Sequence, residues 1–176
     1  GAAPFGAIEE GGYHHYATYL KRQIQVEAEE KVPEGKMAKL LYDMYQPDCA
    51  KYAVESDVPQ IYELLLENFD LQADHIPSED DLLQIVKEKE VMIYKIGDKI
   101  ECFFIYRREG KKLYCAFSYN HASADILYSI ERRVKEIEYE ENGIKMHYAW
   151  FNAKNKKALR RNAWKDTKIR DYIFVK

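Results

Sequence analysis

No apolar run in the 176 residues approaches the roughly 18 to 20 that a membrane-spanning helix requires, and the first residues carry neither the basic nor the apolar region of a signal peptide. The expectation is a cytoplasmic protein without membrane contact. Cysteine is scarce. Cys49, Cys102 and Cys115 are odd in number and form no Cys-x-x-Cys spacing, so reduced thiols are expected, two of them as small core residues in strands. Charge of one sign is also in short supply. The 27 Lys and Arg against 30 Asp and Glu leave a net charge of −3, too weak a field for general attraction to nucleic acid. What is present is a globular composition, 47% hydrophobic and 32% charged, sufficient for one well-buried core and not for two full domains. The 15 tyrosines mark amphipathic packing or an interface.

Residues 1–50 read as a helical extension. Gly1–Ala7 is small and apolar and receives no function. Tyr13, Tyr16, Leu20, Ile24 and Val26 lie mainly at helical spacings, which predicts a helix over Tyr13–Lys31 ended by Pro33 and Gly35. His14-His15 has no third ligand nearby, and adjacent side chains point about 100° apart on a helix, so no metal site is expected. A second short helix covers Met37–Tyr45 and stops before Pro47. Such an extension could serve as a clasp, as the tail of a preceding domain, or as the surface of a homodimer or other interaction.

From Lys51 the pattern becomes that of an α/β domain running to Lys176. After a short strand, Asp57, Pro59 and Gln60 carry the spacing of a capping box with Pro in the first turn, and Val58, Ile61, Leu64, Leu65 and Phe69 face one way. Ser78 caps a further helix to Lys89. Val91–Ile96 and Lys99–Arg107 are strands joined at the tight turn Gly97-Asp98, and Leu113–Tyr119 adds a third. The order that follows organises the rest. That strand breaks at Asn120-His121 into Ala122-Ser123-Ala124, and a helix begins at once. Its apolar residues are Ile126, Leu127, Ile130, Val134 and Ile137, with Glu131/Lys135 and Arg132/Glu136 expected to pair on its outer face. Asn142-Gly143 ends it. A returning strand, Ile144–Phe151, leads to Asn155 and a short basic helix, and Ile169–Val175 closes the chain. A strand, small-residue turn and helix place backbone N–H groups where an anion can bind.

Three features carry a resemblance: the phrase Ala53-x-x-x-Asp57-x-x-x-Ile61, the turn Tyr119-x-x-Ala122-x-Ala124, and Asn155-x-x-Ala158. Together they resemble the GNAT superfamily of N-acetyltransferases over roughly Tyr52–Lys176. The resemblance implies a mixed, mostly antiparallel central sheet flanked by helices, here with the N-terminal helical extension. It also implies acetyl-CoA as acyl donor and an amine-bearing small molecule or peptide as acceptor. The pyrophosphate would meet Tyr119, Ala122, Ser123, Ala124 and Asp125, with Phe117 on the same strand. Asn155, Lys156 and Arg160 would contact the donor farther along. Glu101 is the strand acid that could serve as base, and Asn155 would help position the reacting arm. His75 and Glu79 would lie near the acceptor. The family's first glycine is replaced by Ala122, its usual acid Tyr by Asn162, and its closing Gly-Phe by Asp166-Thr167. These departures leave two alternatives open: a GNAT-shaped module used for binding or assembly, and a relative that transfers an aminoacyl group from another donor.

Overall fold

Seven strands form one sheet in the order β2-β3-β4-β5-β6-β1-β7. The computed structural model describes residues 5–161 and 163–176. In chain order the elements are α1 (Gly6–Glu10), β1 (His14–Gln25), α2 (Lys36–Asp43), β2 (Lys51–Tyr52), α3 (Val58–Asn68), α4 (Glu79–Lys87), β3 (Val91–Ile96), β4 (Lys99–Glu109), β5 (Lys112–Asn120), α5 (Ala124–Asn142), β6 (Met146–Asn152), α6 (Lys156–Leu159) and β7 (Lys165–Val175). Every neighbouring pair is antiparallel except β5 and β6, which run parallel.

The alternation of β3 and β4 builds a core on each face of the sheet. Ile93, Phe103 and Ile105 meet Val58, Ile61 and Leu65 of α3 and Leu82, Ile85 and Val86 of α4. Met92, Phe104 and Tyr106 turn the other way, against Ile126, Ile130 and Val134 of α5. The fold is therefore the mixed, mostly antiparallel sheet flanked by helices that the sequence implied.

The expected helix over Tyr13–Lys31 is instead the strand β1. Tyr16, Leu20 and Ile24 recur every four residues, and a step of four satisfies both one helical turn and two strand alternations. Tertiary pairing decides between them. The edge of β6 needs a partner for its N–H and C=O groups, and β1 supplies one from Tyr19↔Asn152 to Gln25↔Met146. The second N-terminal helix does form, as α2, and it lies against α5. The Arg132 guanidinium sits 4.5 Å from the Tyr42 ring and 4.0 Å from the Tyr45 ring, and the Tyr45 hydroxyl donates to Glu136.

That docking overturns the expected outer-face pairs on α5. Arg132 is used by the two tyrosines, Lys135 reaches Glu30 at 3.8 Å, and Glu131 meets Arg161 at 2.8 Å. The capping box at Asp57 is likewise replaced. The Asp57 carboxylate accepts from the Val54 N–H at 2.9 Å and pairs with Lys95, while Gln60 reaches across to the Gly97-Asp98 turn and donates to the Asp98 carbonyl at 3.1 Å. Ser78 does cap α4, its hydroxyl accepting from the Asp81 N–H at 3.1 Å. Gly97 and Gly143 take the left-handed conformation, with φ of 61° and 63°, that the turn after β3 and the end of α5 require.

Candidate functional site

The parallel strands β5 and β6 pair only over Lys112–Tyr114 and Met146–Tyr148. Just beyond Tyr114, β5 carries a bulge: Tyr106 opposes Cys115 and Ile105 opposes Phe117, so Ala116 has no partner on β4. A bulge bends its strand. Meanwhile β6 stays bound to β1 as far as Asn152. The two strands part, and a cavity of about 560 Å³ opens between Cys115–Ser118 of β5 and Ala149–Asn152 of β6. Across this gap the facing peptide groups have no ladder partner.

Both faces of the sheet contribute walls. On the α5 side stand Glu131, Asn155, Ala158 and Arg161. Glu131 and Arg161 join α5 to the end of α6 by a 2.8 Å ion pair, and the Glu131 charge raises the Arg161 pKa. Asn155 caps α6, its side-chain oxygen accepting from the Ala158 N–H at 3.1 Å. On the floor, the His147 Nδ1 lies 3.8 Å from the Cys115 Sγ, and its buried Nε2 has no hydrogen-bond partner among the described residues. Burial, reinforced by the Lys135 charge, depresses the His147 pKa to about 3, and burial pushes the Cys115 thiol up. The pair is therefore neutral, an imidazole beside a thiol rather than an activated thiolate.

The opposite side is acidic. Tyr19, at the centre of β1, stands in one cross-strand row with Asn152 of β6 and Asp171 of β7. Its hydroxyl donates to Asp74 in the connection between α3 and α4, and Tyr16 donates to Asp70 in the same connection. Tyr16 and Tyr19 have opposite parity along the strand. A register shift between His15 and Ala17 places Tyr16 at a bulge, which brings both hydroxyls to one loop. The Tyr16 hydrogen bond, with one from the Gln72 N–H, holds the Asp70 carboxyl below its usual range. Burial and Asp74 raise the Tyr19 phenol.

The residues expected from sequence divide between this cavity and the turn before α5. Phe117, Asn155 and His75 line the cavity. Tyr119 turns its ring onto Phe103, 5.4 Å away, and joins the core beneath α3 and α4. At the turn, the Ala122 N–H donates to the Asn120 side chain at 3.0 Å, and the His121 N–H donates to the Glu101 carbonyl at 2.7 Å. Ser123 is the N-cap of α5 but makes no side-chain cap, so the donors of Ala124 and Asp125 point outward without one. The Asp125 carboxylate is turned away, buried, and accepts from Gln46 Nε2 at 3.3 Å. Glu101 lies beside this turn, 3.0 Å from His121 Nδ1 and 3.8 Å from Lys99, outside the cavity. Lys156 and Arg160 are exposed on α6, and Glu79 is exposed on α4. Asn162 lies outside the described residues.

Sequence reasoning passed over His147, Tyr19, Asp70, Asp74 and Asp171, gave Glu131 only an outer-face pairing, and placed Arg161 with Lys156, Lys157 and Arg160 in a basic cluster for the donor's phosphates, whereas Arg161 pairs with Glu131. One signal was available: Phe69–Pro77 holds two acids, Asp70 and Asp74, and neither Lys nor Arg.

No protein-family model matches the chain, and no curated protein matches its sequence. Solved structures do. A GCN5-related N-acetyltransferase from Sphaerobacter thermophilus aligns with 99% of the chain at a TM-score of 0.64 and 16% identity, the match covering 55% of that protein. A GCN5-related N-acetyltransferase from Anabaena variabilis aligns with 96% at 0.55 and 10% identity, over 42% of its length. A GCN5-related glucosamine N-acetyltransferase region of a fungal multi-domain GH3 β-N-acetylglucosaminidase aligns with 98% at 0.60 and 10% identity, over 22% of its chain. The chain has the GNAT fold and spans about half the length of the first of these.

Proposed function

We propose that the protein is an N-acyltransferase that moves an acetyl or other acyl group from acyl-CoA to an amine. The observation that carries this reading is the parting of β5 and β6 around a cavity open to both faces of the sheet. An extended arm bearing amides can lie between such strands and satisfy their unpaired N–H and C=O groups, as a peptide does when it adds to a sheet edge. The separated strand edges are polar groups that fit such an arm. At the end of the arm, the first-turn donors of α5 at Ala124 and Asp125 favour a diphosphate. The exposed Lys156 and Arg160 add positive charge near α6.

In the transfer, the neutral amine nitrogen attacks the thioester carbonyl carbon. The N–C bond forms, the C–S bond breaks, and the proton lost by the amine ends on the departing sulfur to give the free thiol. Peptide N–H groups of β5 near the Ala116 bulge are the donors within reach of the developing oxyanion. No carboxylate on β5 serves as base, so holding the two reactants together in the cavity supplies the main acceleration.

Calorimetric titration with acetyl-CoA and with CoA tests the donor site. Saturable binding is expected. Ser118→Trp, at an exposed cavity-lining position, and Ala124→Glu, which sets a carboxylate over the first turn of α5, should each weaken binding by about tenfold or more. Absence of binding at millimolar ligand overturns the reading.

A further inference from the structure

Outside the cavity, α2 forms an extra layer over α5, which it meets through Tyr42 and, just past its end, Tyr45. None of its eight residues is buried, and Gly35 at its start supplies no side-chain cap. A helix this short is marginal by itself. The side held by Arg132 is only one of its two apolar sides. Met37, Leu40 and Met44 are 68%, 52% and 43% exposed. At about 100° per residue they fall within an arc of roughly 60°, so they form one continuous stripe rather than three scattered side chains. A continuous apolar stripe on an outermost helix marks an interaction surface.

The charges beside the stripe identify what covers it. Lys36 and Lys39 stand at the start of α2 and Asp43 at its end, with no acid in the first turn and no base in the last. This order opposes the helix dipole, which favours acids at the start and bases at the end. Asp43 has Lys39 at 3.4 Å, while Lys36 has no ion pair among the described residues. Lys36 and Asp43 are two turns apart on the same flank of the stripe. A second α2 laid antiparallel across it, about a two-fold axis near Leu40, sets Met37 against Met44 of the second copy and Leu40 against its own equivalent. On the flank, each Lys36 then meets the other copy's Asp43, and each basic helix start lies beside a carbonyl-rich helix end. A charge order that is unfavourable within one helix becomes complementary between two.

We infer that Met37, Leu40 and Met44 are the seam of a symmetric dimer of this chain, in which two copies of α2 pack antiparallel and Lys36 of each pairs with Asp43 of the other. The inference does not depend on the acyltransferase reading. Two helices of this length bury less than the roughly 1,200 Å² of a standard interface, so the association is weak and reversible.

Sedimentation equilibrium of the full chain, from about 10 μM to 1 mM, tests it, and a dimer should form within that range. Leu40→Glu puts a carboxylate from each copy into the seam and should raise the dimer Kd by about tenfold or more. Leu71→Glu, at a 69% exposed position in the connection between α3 and α4, should leave it unchanged, with circular dichroism showing both variants folded. Lys36→Asp is the sharper variant. It gives α2 the first-turn acid that the dipole favours, yet it should raise the dimer Kd by about fivefold or more, because carboxylates then face each other across the seam. Adding Asp43→Lys to it restores opposite charges between the copies and should return the Kd close to that of the parent. A chain still monomeric at about 1 mM overturns the inference and leaves the stripe to a different protein. A dimer that withstands Leu40→Glu also overturns it, moving the contact to another surface such as the open edge of β7. Lys36→Asp without effect, or a double variant that fails to restore the dimer, overturns the antiparallel pairing.

Discussion

The two ends of the sheet treat charge in opposite ways. Where β5 and β6 are still paired, Arg108 on β4 grips Glu138 of α5 with two hydrogen bonds of 2.8 Å, and the fully buried carboxylate takes a third from Asn142 at 2.8 Å. The Arg108 backbone N–H donates to the buried Glu90, and Arg107 approaches Glu90 at 3.1 Å. Each buried acid there has a cation. Where the strands part, Asp70, Asp74 and Asp171 have phenols, backbone donors or nothing. The closed end gives each of its buried acids a cation and so holds the layers together, while the acids of the open end keep their charge. Stability should therefore live in the first region and selectivity in the second.

The largest effect should come from breaking the closed end. Arg108→Met keeps much of the packing stem but leaves Glu138 buried without its cation, which costs about 3–5 kcal/mol for an uncompensated buried charge. Urea denaturation should show the midpoint falling accordingly. Asp171→Asn, at the other end, should move stability by no more than about 0.5 kcal/mol. If the two substitutions cost the same, the division between the regions is wrong.

Acid should weaken the closed end next, through His147 in the paired part of β6. His147 is buried neutral, with its pKa lowered from 6.5 to about 3. The unfolded chain takes up a proton near pH 6.5 that the folded chain refuses until about pH 3. Stability from this group is thus complete above pH 6.5 and is lost progressively as the pH falls toward 3, by several kcal/mol at about 1.4 kcal/mol per unit. His147→Gln cannot titrate, so its loss of stability over that window should be shallower than that of the parent. Parallel curves would show that His147 is not the buried group responsible.

The same contrast separates what the sequence disclosed from what it concealed. Elements whose cause is local were legible: the Gly97 turn, the Ser78 cap, the stripe of Ile126, Ile130 and Val134, and the left-handed Gly143 that ends α5. So was the fold, because strand, turn, helix and returning strand follow one another directly. Of the cavity, Phe117, Asn155 and His75 were visible through the resemblance. The acidic wall was not. It joins β1, the α3–α4 connection and β7, segments more than 50 residues apart in sequence for Tyr16 and Asp70, and it depends on β1 being a strand. Every-fourth-residue spacing at Tyr16, Leu20 and Ile24 could not distinguish a strand from a helix. The Ala116 bulge that opens the cleft left no mark either, since it is a mismatch between two strands rather than a property of one.

The smallest expected effect tests whether the tyrosines merely orient the acidic wall. Tyr19→Phe deletes the hydroxyl that donates to Asp74 and leaves the ring that lines the cavity. A hydrogen bond to a charged group at a half-buried site contributes about 1–2 kcal/mol net, and water can replace part of it here. The stability loss should fall near the lower figure, well below that of Arg108→Met. Asp74, released by the phenol, remains tied to the Asp70 N–H through its other oxygen. If the phenol only aims the carboxylate, Tyr19→Phe should cost less stability than Asp74→Asn, which weakens the bonds from both the Tyr19 hydroxyl and the Asp70 N–H. A larger loss than that of Asp74→Asn would mean that the Tyr19 hydroxyl, rather than the carboxylate, is what ties β1 to the connection between α3 and α4.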